Sequence, residues 1–300
     1  MQTGETIWYN GKFVPWHDAK IHVLTHTLHY GGGALEGIRF YQTAHGSAIF
    51  RLQEHVDRLF YSASVLKMRL PFTKDEITDA IKKVAANSGY QEGYIRPIAF
   101  YGQGKLSINP VGNPVEVVIA AWPWESSAPA QIDVKISSYC RIHPSSTVID
   151  AKLCAHYLNG ILATLELQGT HYHEALYLDA NENIAEGIGA NFFMVKSGVI
   201  YTPKRGSILV GITRDTVITL ARRAGFDVLE ADISVDEVFQ ADEAFLSGTA
   251  AEITPIRSVN DRVLGEGKSG AVTPVLKDAY LDLVHGRDEI YSSYLTRITD

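Results

Sequence analysis

The sequence predicts a mixed α/β fold divided between two domains, on three observations. The chain has 300 residues, 46% apolar and 20% charged, more than a single hydrophobic core ordinarily organises. Short apolar, β-rich segments are interleaved with segments of helical periodicity. Residues 125–131, Glu-Ser-Ser-Ala-Pro-Ala-Gln, have the small, polar, proline-containing composition of a linker. The expected division is an N-terminal α/β domain over 1–124, the connection at 125–131, and a larger C-terminal domain over 132–300.

In the first domain, Arg51 to Met68 places Val56, Leu59, Phe60, Ala63 and Leu66 at helical spacing, with one stripe to bury. A second helix follows, with Thr73 and Glu76 as a capping box, Phe72 and Ile77 as a hydrophobic staple and Gly89 as the stop. Tyr94–Phe100 and Val115–Trp122 read as buried strands. In the second domain, strands at Val134–Ser137, Ala175–Leu178 and Glu243–Leu246 alternate with helices starting near Leu153, Thr213, Ser234 and Thr273. Thr273 is expected as a cap with Pro274 at the first helical position. Ser197-Gly198 should turn a hairpin. The polar tail after Gly286 has no assignable role.

A net charge of −7 without a Lys/Arg run argues against nucleic acid and anionic membranes as partners. No apolar stretch approaches bilayer length, and the opening residues lack the basic and apolar regions of a signal peptide, so the cytoplasm is expected. Cys140 and Cys154 fit neither a disulfide framework nor a zinc ribbon. His22, His26 and His29 have only Glu36 as a nearby acidic residue and are read as structural, so no metal is expected. Gly31-Gly32-Gly33 misses the dinucleotide spacing and is read as a tight turn near a ligand.

Four motifs carry chemistry. Lys152, in DAKLCAHYLNG, is an amine that can condense with an aldehyde if its surroundings lower its pKa or hold it as an imine. Glu186, in IAEGIGANFF, is either a surface carboxylate or one aimed at a ring nitrogen. Gly211-Ile212-Thr213 opens a helix whose N–H groups and hydroxyl could bind phosphate, although Thr213 alone reads equally as a cap. Ser247-Gly248-Thr249 is a second turn of that kind. Amine, carboxylate and two phosphate-sized turns together form an inventory for pyridoxal 5′-phosphate. Tyr157 and Arg58 read on their own as a packed tyrosine and a solvent-facing arginine.

The strings HYGGGALEGIRFY, EHVDRLFYSA, YIRP, AAWPW, DAKLCAHYLNG, AEGIGANFFMV, GITRD and SGTAAEITPIRSV, in order over residues 7–285, resemble the branched-chain amino acid aminotransferases. These are pyridoxal-phosphate enzymes of fold type IV, whose C-terminal domain is a pseudo-barrel. The resemblance implies that Lys152 joins the cofactor's aldehyde, Tyr157 bonds its phenolic oxygen and Glu186 pairs with its pyridine nitrogen. It gives the phosphate to Arg58, the Gly211-Ile212 backbone, Thr213 and Thr249. For substrate it implies Leu35, Gly37, Tyr94, Arg96, Trp124 and the Thr249-Ala250 amides, with Tyr30 arriving from a second copy in a homodimer. The implied reaction moves an amino group from leucine, isoleucine or valine to 2-oxoglutarate. Transaminases of D-amino acids or (R)-amines and aminodeoxychorismate lyases share the fold and remain alternatives, with YIRP and GTAAEITP favouring the L-branched-chain reading. Leu35 replaces a frequent aromatic residue, and the loop GQGKLSINP, which in relatives reads more like GxGxMGVNP, carries Lys105 and Ser107; both bear on substrate range.

Overall fold

A computed structural model describes residues 4–124 and 129–299, so four positions of the expected linker, 125–128, lie outside the described residues. Contacts divide the chain into two compact units. Met1–Ser126, Ala151–Ala155 and Leu283–Asp300 form the first; Ser127–Asp150 and His156–Asp282 form the second. The short stretch around Lys152 and the C-terminal tail, which the sequence assigned to the domain over 132–300, thus group with the N-terminal residues.

The first unit contains β1 (Thr6–Tyr9), β2 (Lys12–Pro15), α1 (His26–Tyr30), β3 (Gly33–Leu35), β4 (Ile38–Thr43), β5 (Gly46–Phe50), α2 (Leu52–Val65), α3 (Lys74–Asn87), β6 (Gly93–Tyr101) and β7 (Val115–Pro123). Its antiparallel sheet runs β5-β4-β6-β7-β1-β2, with β3 also paired to β6. Helix α2 buries Leu52, Val56, Leu59 and Ala63, one stripe at helical spacing, as the periodicity predicts. The Thr73–Glu76 capping box forms: Glu76 N–H donates to Thr73 Oγ1, and Thr73 N–H donates to the Glu76 carboxylate at 2.7 Å. Ile77, Ile81 and Val84 of α3 then join the α2 stripe in one core, against which Phe72 packs.

The second unit contains β8 (Ile132–Ile136), α4 (Tyr157–Glu166), β9 (Glu174–Leu178), β10 (Ile184–Gly187), β11 (Asn191–Lys196), β12 (Val199–Pro203), α5 (Ile212–Arg223), β13 (Val228–Ala231), α6 (Val235–Val238), β14 (Glu243–Gly248), β15 (Glu252–Val259), β16 (Arg262–Val263) and α7, Val272–Val284, whose last turn crosses the boundary. Strand β10 pairs with both β9 and β11, which closes β10-β9-β8-β15-β14-β11 into a ring. The β11–β12 turn is at Ser197-Gly198, both with positive φ, as predicted. Two expectations change. Helix α7 begins at Val272, and its start is capped by a distant carboxylate: the N–H groups of Val272 and Thr273 each donate to Glu243 at 2.8 Å. Thr213 is likewise no cap, because Gly211 occupies that position and Thr213 is buried inside α5.

The tail after Gly286 acquires structure in the first unit. It forms a short 3-10 segment and β17 (Leu295–Arg297), which adds antiparallel to the outer edge of β5.

Candidate active site

Lys152 is held by its main chain. Its N–H donates to Ser62 Oγ at 2.9 Å, and its carbonyl accepts from Leu35 N–H at 3.1 Å. Ser62 is buried on α2, and one turn before it on that helix is Arg58, so both sit on one face. Arg58 does not face water, as a surface arginine would. Its Nε and Nη2 donate to the two oxygens of Glu36 at 2.6 and 2.9 Å, and His55 Nδ1 bonds Glu36 Oε2 at 2.7 Å. Burial would raise the Glu36 carboxyl, but the Arg58 charge and the His55 contact outweigh it and hold it well below the usual carboxylate range.

The glycine turn 31–33 lets this segment approach. A Cβ on Gly31 would meet Ala155 Cβ at 2.9 Å, and one on Gly33 would meet Cys154 Sγ at 2.8 Å. The turn therefore lies against the segment that carries Lys152. Burial pushes the Cys154 thiol up to about 11, so it stays protonated. His22, His26 and His29 bond the backbone of Leu24, Ser107 and Val23 respectively. Among the described residues, no three His, Cys, Asp or Glu side chains form a metal-binding group.

A second cluster of the first unit is aromatic with a cation. Tyr94 and Arg96 share one face of β6, and Arg96 Nη2 donates to Tyr94 Oη at 3.2 Å. The guanidinium lies 5.3 Å from the Tyr94 ring centre and 5.9 Å from that of Trp122. Trp124 packs on Tyr94 at 5.1 Å. Leu35 and Gly37 are buried at the turn between β3 and β4, and a Cβ on Gly37 would coincide with the Tyr94 hydroxyl. Tyr30 ends α1, is 44% exposed, and sets its ring 4.7 Å from that of His26.

In the second unit Glu186 is buried, against the default reading of a surface carboxylate. Arg141 Nε donates to it at 2.7 Å, Asn191 Nδ2 at 3.0 Å and the Leu209 N–H at 3.1 Å. Asn191 also donates to Leu209 O at 2.8 Å, which ties the start of β11 to the approach to α5. Glu186, Asn191 and Ser247 are directly opposite one another across β10, β11 and β14, hence on one face. A Cβ on Gly211 would overlap Asn191 Oδ1, and one on Gly248 would meet Gly189 O at 3.1 Å. The EGIGAN, GIT and SGTA motifs are thereby gathered, with Ile212 and Thr213 opening α5 and Thr249-Ala250 turning β14 into β15. Tyr157 is half-buried at the first position of α4.

Four residues of these clusters escaped the sequence reading: Glu36, His55, Arg141 and Asn191. Glu36, His55 and Asn191 lay inside quoted motifs and Arg141 in none; Arg141 meets Glu186 across 45 residues and His55 meets Glu36 across 19, whereas Asn191 is five residues after Glu186.

The family model described as amino-transferase class IV matches residues 33–259. The branched-chain-amino-acid aminotransferase of Pseudomonas aeruginosa is 46% identical over 297 residues, 97% of each chain. That of Escherichia coli (strain K12) is 40% identical over 299 residues, again 97% of each. The solved structure of a T.th. branched-chain amino acid aminotransferase complexed with N-(5′-phosphopyridoxyl)-L-glutamate superposes with a TM-score of 0.96, at 43% identity over 99% of both chains. With a matching family model over most of its length and relatives this similar from end to end, the chain belongs to the class IV aminotransferases and has their fold type IV architecture.

Proposed function

We propose that the chain moves the amino group of L-leucine, L-isoleucine or L-valine to 2-oxoglutarate, giving a branched 2-oxo acid and L-glutamate, with pyridoxal 5′-phosphate as cofactor. The observation that carries this reading is the setting of Lys152, pinned through its N–H to the face of α2 that also presents Arg58. An amine and a phosphate-binding cation on one rigid face is what a phosphorylated aldehyde requires. The remaining donor set fits the same group. Glu186 is a buried carboxylate, and Ser247 Oγ is buried without a hydrogen-bond partner among the described residues, at the turn before Thr249.

When bound, the cofactor supplies an electron sink for the substrate's Cα–H electrons. Lys152 Nζ is the amine that would hold it and would take the substrate's Cα proton. Glu186 keeps the ring nitrogen protonated, and Tyr157 bonds the phenolic oxygen. Arg58, the Gly211-Ile212 backbone, Thr213 and Thr249 hold the phosphate, with the start of α5 adding its dipole. Leu35, Gly37, Tyr94, Arg96 and Trp124 line the side-chain pocket, and the Thr249-Ala250 amides receive the α-carboxylate. Arg96 with Tyr94 and Tyr30 pairs the distal carboxylate of glutamate, yet leaves aromatic walls for leucine.

The working unit is a homodimer in which Tyr30 serves the other copy's site. Exposed Val23, Leu24, Leu28 and Tyr30 in the α1 segment, together with Leu106 and Ile108 in the departing GQGKLSINP loop, support that reading. We place the protein in the cytoplasm, which suits its two free cysteines. No helix among the described residues is long and apolar enough to cross a membrane.

Borohydride reduction of the purified yellow protein followed by peptide mapping tests the central assignment. The pyridoxyl group is expected on Lys152, and its appearance on another lysine would overturn the reading. A donor panel of leucine, isoleucine, valine, D-alanine and (R)-1-phenylethylamine against 2-oxoglutarate tests the substrate class. Preference for either of the last two would transfer the protein to the D-amino-acid or (R)-amine reading.

A further inference from the structure

Glu36 is completely enclosed, and His55 is 1% exposed. Neither can touch a ligand, yet both converge on Arg58. Glu36 closes β3, where its N–H donates to Pro97 O on β6 at 2.9 Å, so the sheet fixes the carboxylate's position. His55 and Arg58 are three residues apart on α2 and project from the same side. The carboxylate takes the guanidinium by its Nε–Nη2 edge, one oxygen to each nitrogen, which fixes the plane of the group as well as its place. The oxygen bonded to Nη2 also accepts from His55 Nδ1 and, at 3.3 Å, from Gly37 N–H. A carboxylate only accepts, so the imidazole proton is on Nδ1.

A buried ion pair is a weak source of stability, because desolvation of both charges offsets their attraction. A cation that must meet a phosphate in one orientation gives such a pair another use. We propose that Glu36 and His55 are positioning residues that hold Arg58 for the cofactor's phosphate, so that discrimination between phosphorylated and unphosphorylated pyridoxal depends on two side chains that never touch the ligand. The proposal rests on the reading of Arg58 as a phosphate ligand, and its test separates the two.

The full-length chain, freed of cofactor, is titrated with pyridoxal 5′-phosphate and with pyridoxal, and the readout is the dissociation constant for pyridoxal divided by that for pyridoxal 5′-phosphate. Arg58→Ala is expected to lower that ratio at least tenfold. Glu36→Gln should lower it severalfold with pyridoxal affinity unchanged, and the double variant should lose no more than Arg58→Ala alone. His55→Leu should behave like Glu36→Gln. His55→Asn, whose Nδ2 can donate where Nδ1 did, should restore the ratio. Should Glu36→Gln fail to fold, the His55 pair carries the test alone. A merely structural role moves the melting temperature and leaves the ratio untouched. A parental ratio in Glu36→Gln and His55→Leu, beside a collapsed one in Arg58→Ala, overturns the positioning role and keeps Arg58. A parental ratio in Arg58→Ala removes the phosphate reading and the proposal with it.

Discussion

Arg96 is the residue on which dual substrate recognition turns. Its guanidinium is bonded to Tyr94 and set among the Tyr94 and Trp122 rings, an arrangement that offers a carboxylate a charged partner and an alkyl chain an aromatic wall. Arg96→Leu should therefore lower selectivity for glutamate over leucine by at least tenfold, about 1.4 kcal/mol in transition-state terms, measured as half-reaction rates with each amino acid. An equal loss on both would make Arg96 an α-carboxylate ligand or a structural cation. Gly37→Ala places a methyl group where the Tyr94 hydroxyl sits, so Tyr94 must move. The expected result is a raised KM for both substrates with cofactor affinity unchanged, and a parental KM would place Tyr94 outside the pocket. Lys152 and Glu186 could be singled out as candidates in the sequence because each lies in a short motif that suggests a chemistry, whereas Arg96 came only with the family resemblance. The setting of Glu186 could not: Asn191 faces it through the β10–β11 pairing and Arg141 reaches it from a loop 45 residues earlier, and nothing local to either residue announces that contact.

At the scale of elements, α2 brings a periodic apolar stripe and a polar face to opposite jobs. The stripe was readable from spacing alone. The polar face was not, because His55 and Arg58 acquire meaning only when Glu36 arrives from β3, 19 and 22 residues away. The same reasoning explains α7, whose predicted cap yielded to Glu243 from β14, 29 residues before Val272. The polar face also makes the fold acid-sensitive. Burial, with the Arg58 and Lys152 charges adding, holds the His55 imidazole below its ordinary 6.5 against the pull of Glu36. Glu36 is held below its ordinary 4.5. As pH falls through 6.5 the unfolded chain takes up an imidazole proton that the folded chain refuses, and through 4.5 a carboxylate proton likewise. Stability is thus full above about 6.5 and declines on acidification in two overlapping stages. His55→Asn should flatten the first stage and keep the second, as read from melting temperature against pH. Parallel curves for parent and variant would remove His55 as the source.

For the whole molecule, the tail is the part that sequence left blank and contacts assign. Leu295, Thr296 and Arg297 pair with Phe50, Ile49 and Ala48, a match of backbone groups that leaves no pattern in the side chains to read. The tail also secures the start of α2. Arg51, in a left-handed conformation at φ 51°, donates its N–H to Tyr294 O at 2.7 Å and stacks its guanidinium 4.3 Å from the Tyr294 ring centre. Deleting residues 287–300 therefore exposes the β5 edge and exchanges the Arg51 N–H bond to Tyr294 for one to water. The exchanged hydrogen bond costs about 0.5–1.5 kcal/mol and the lost cation–π contact about 0.5–1 kcal/mol. All four tryptophans, Trp8, Trp16, Trp122 and Trp124, belong to the first unit, so their fluorescence reports its unfolding. The truncated chain should show a tryptophan-monitored urea transition shifted to lower denaturant and a weaker affinity for pyridoxal 5′-phosphate, because α2 carries Arg58. A tail that belonged with the second unit would instead leave the tryptophan signal at its parental midpoint, and that outcome would mean that neither the β17 pairing nor the Tyr294 contacts hold the start of α2 in place.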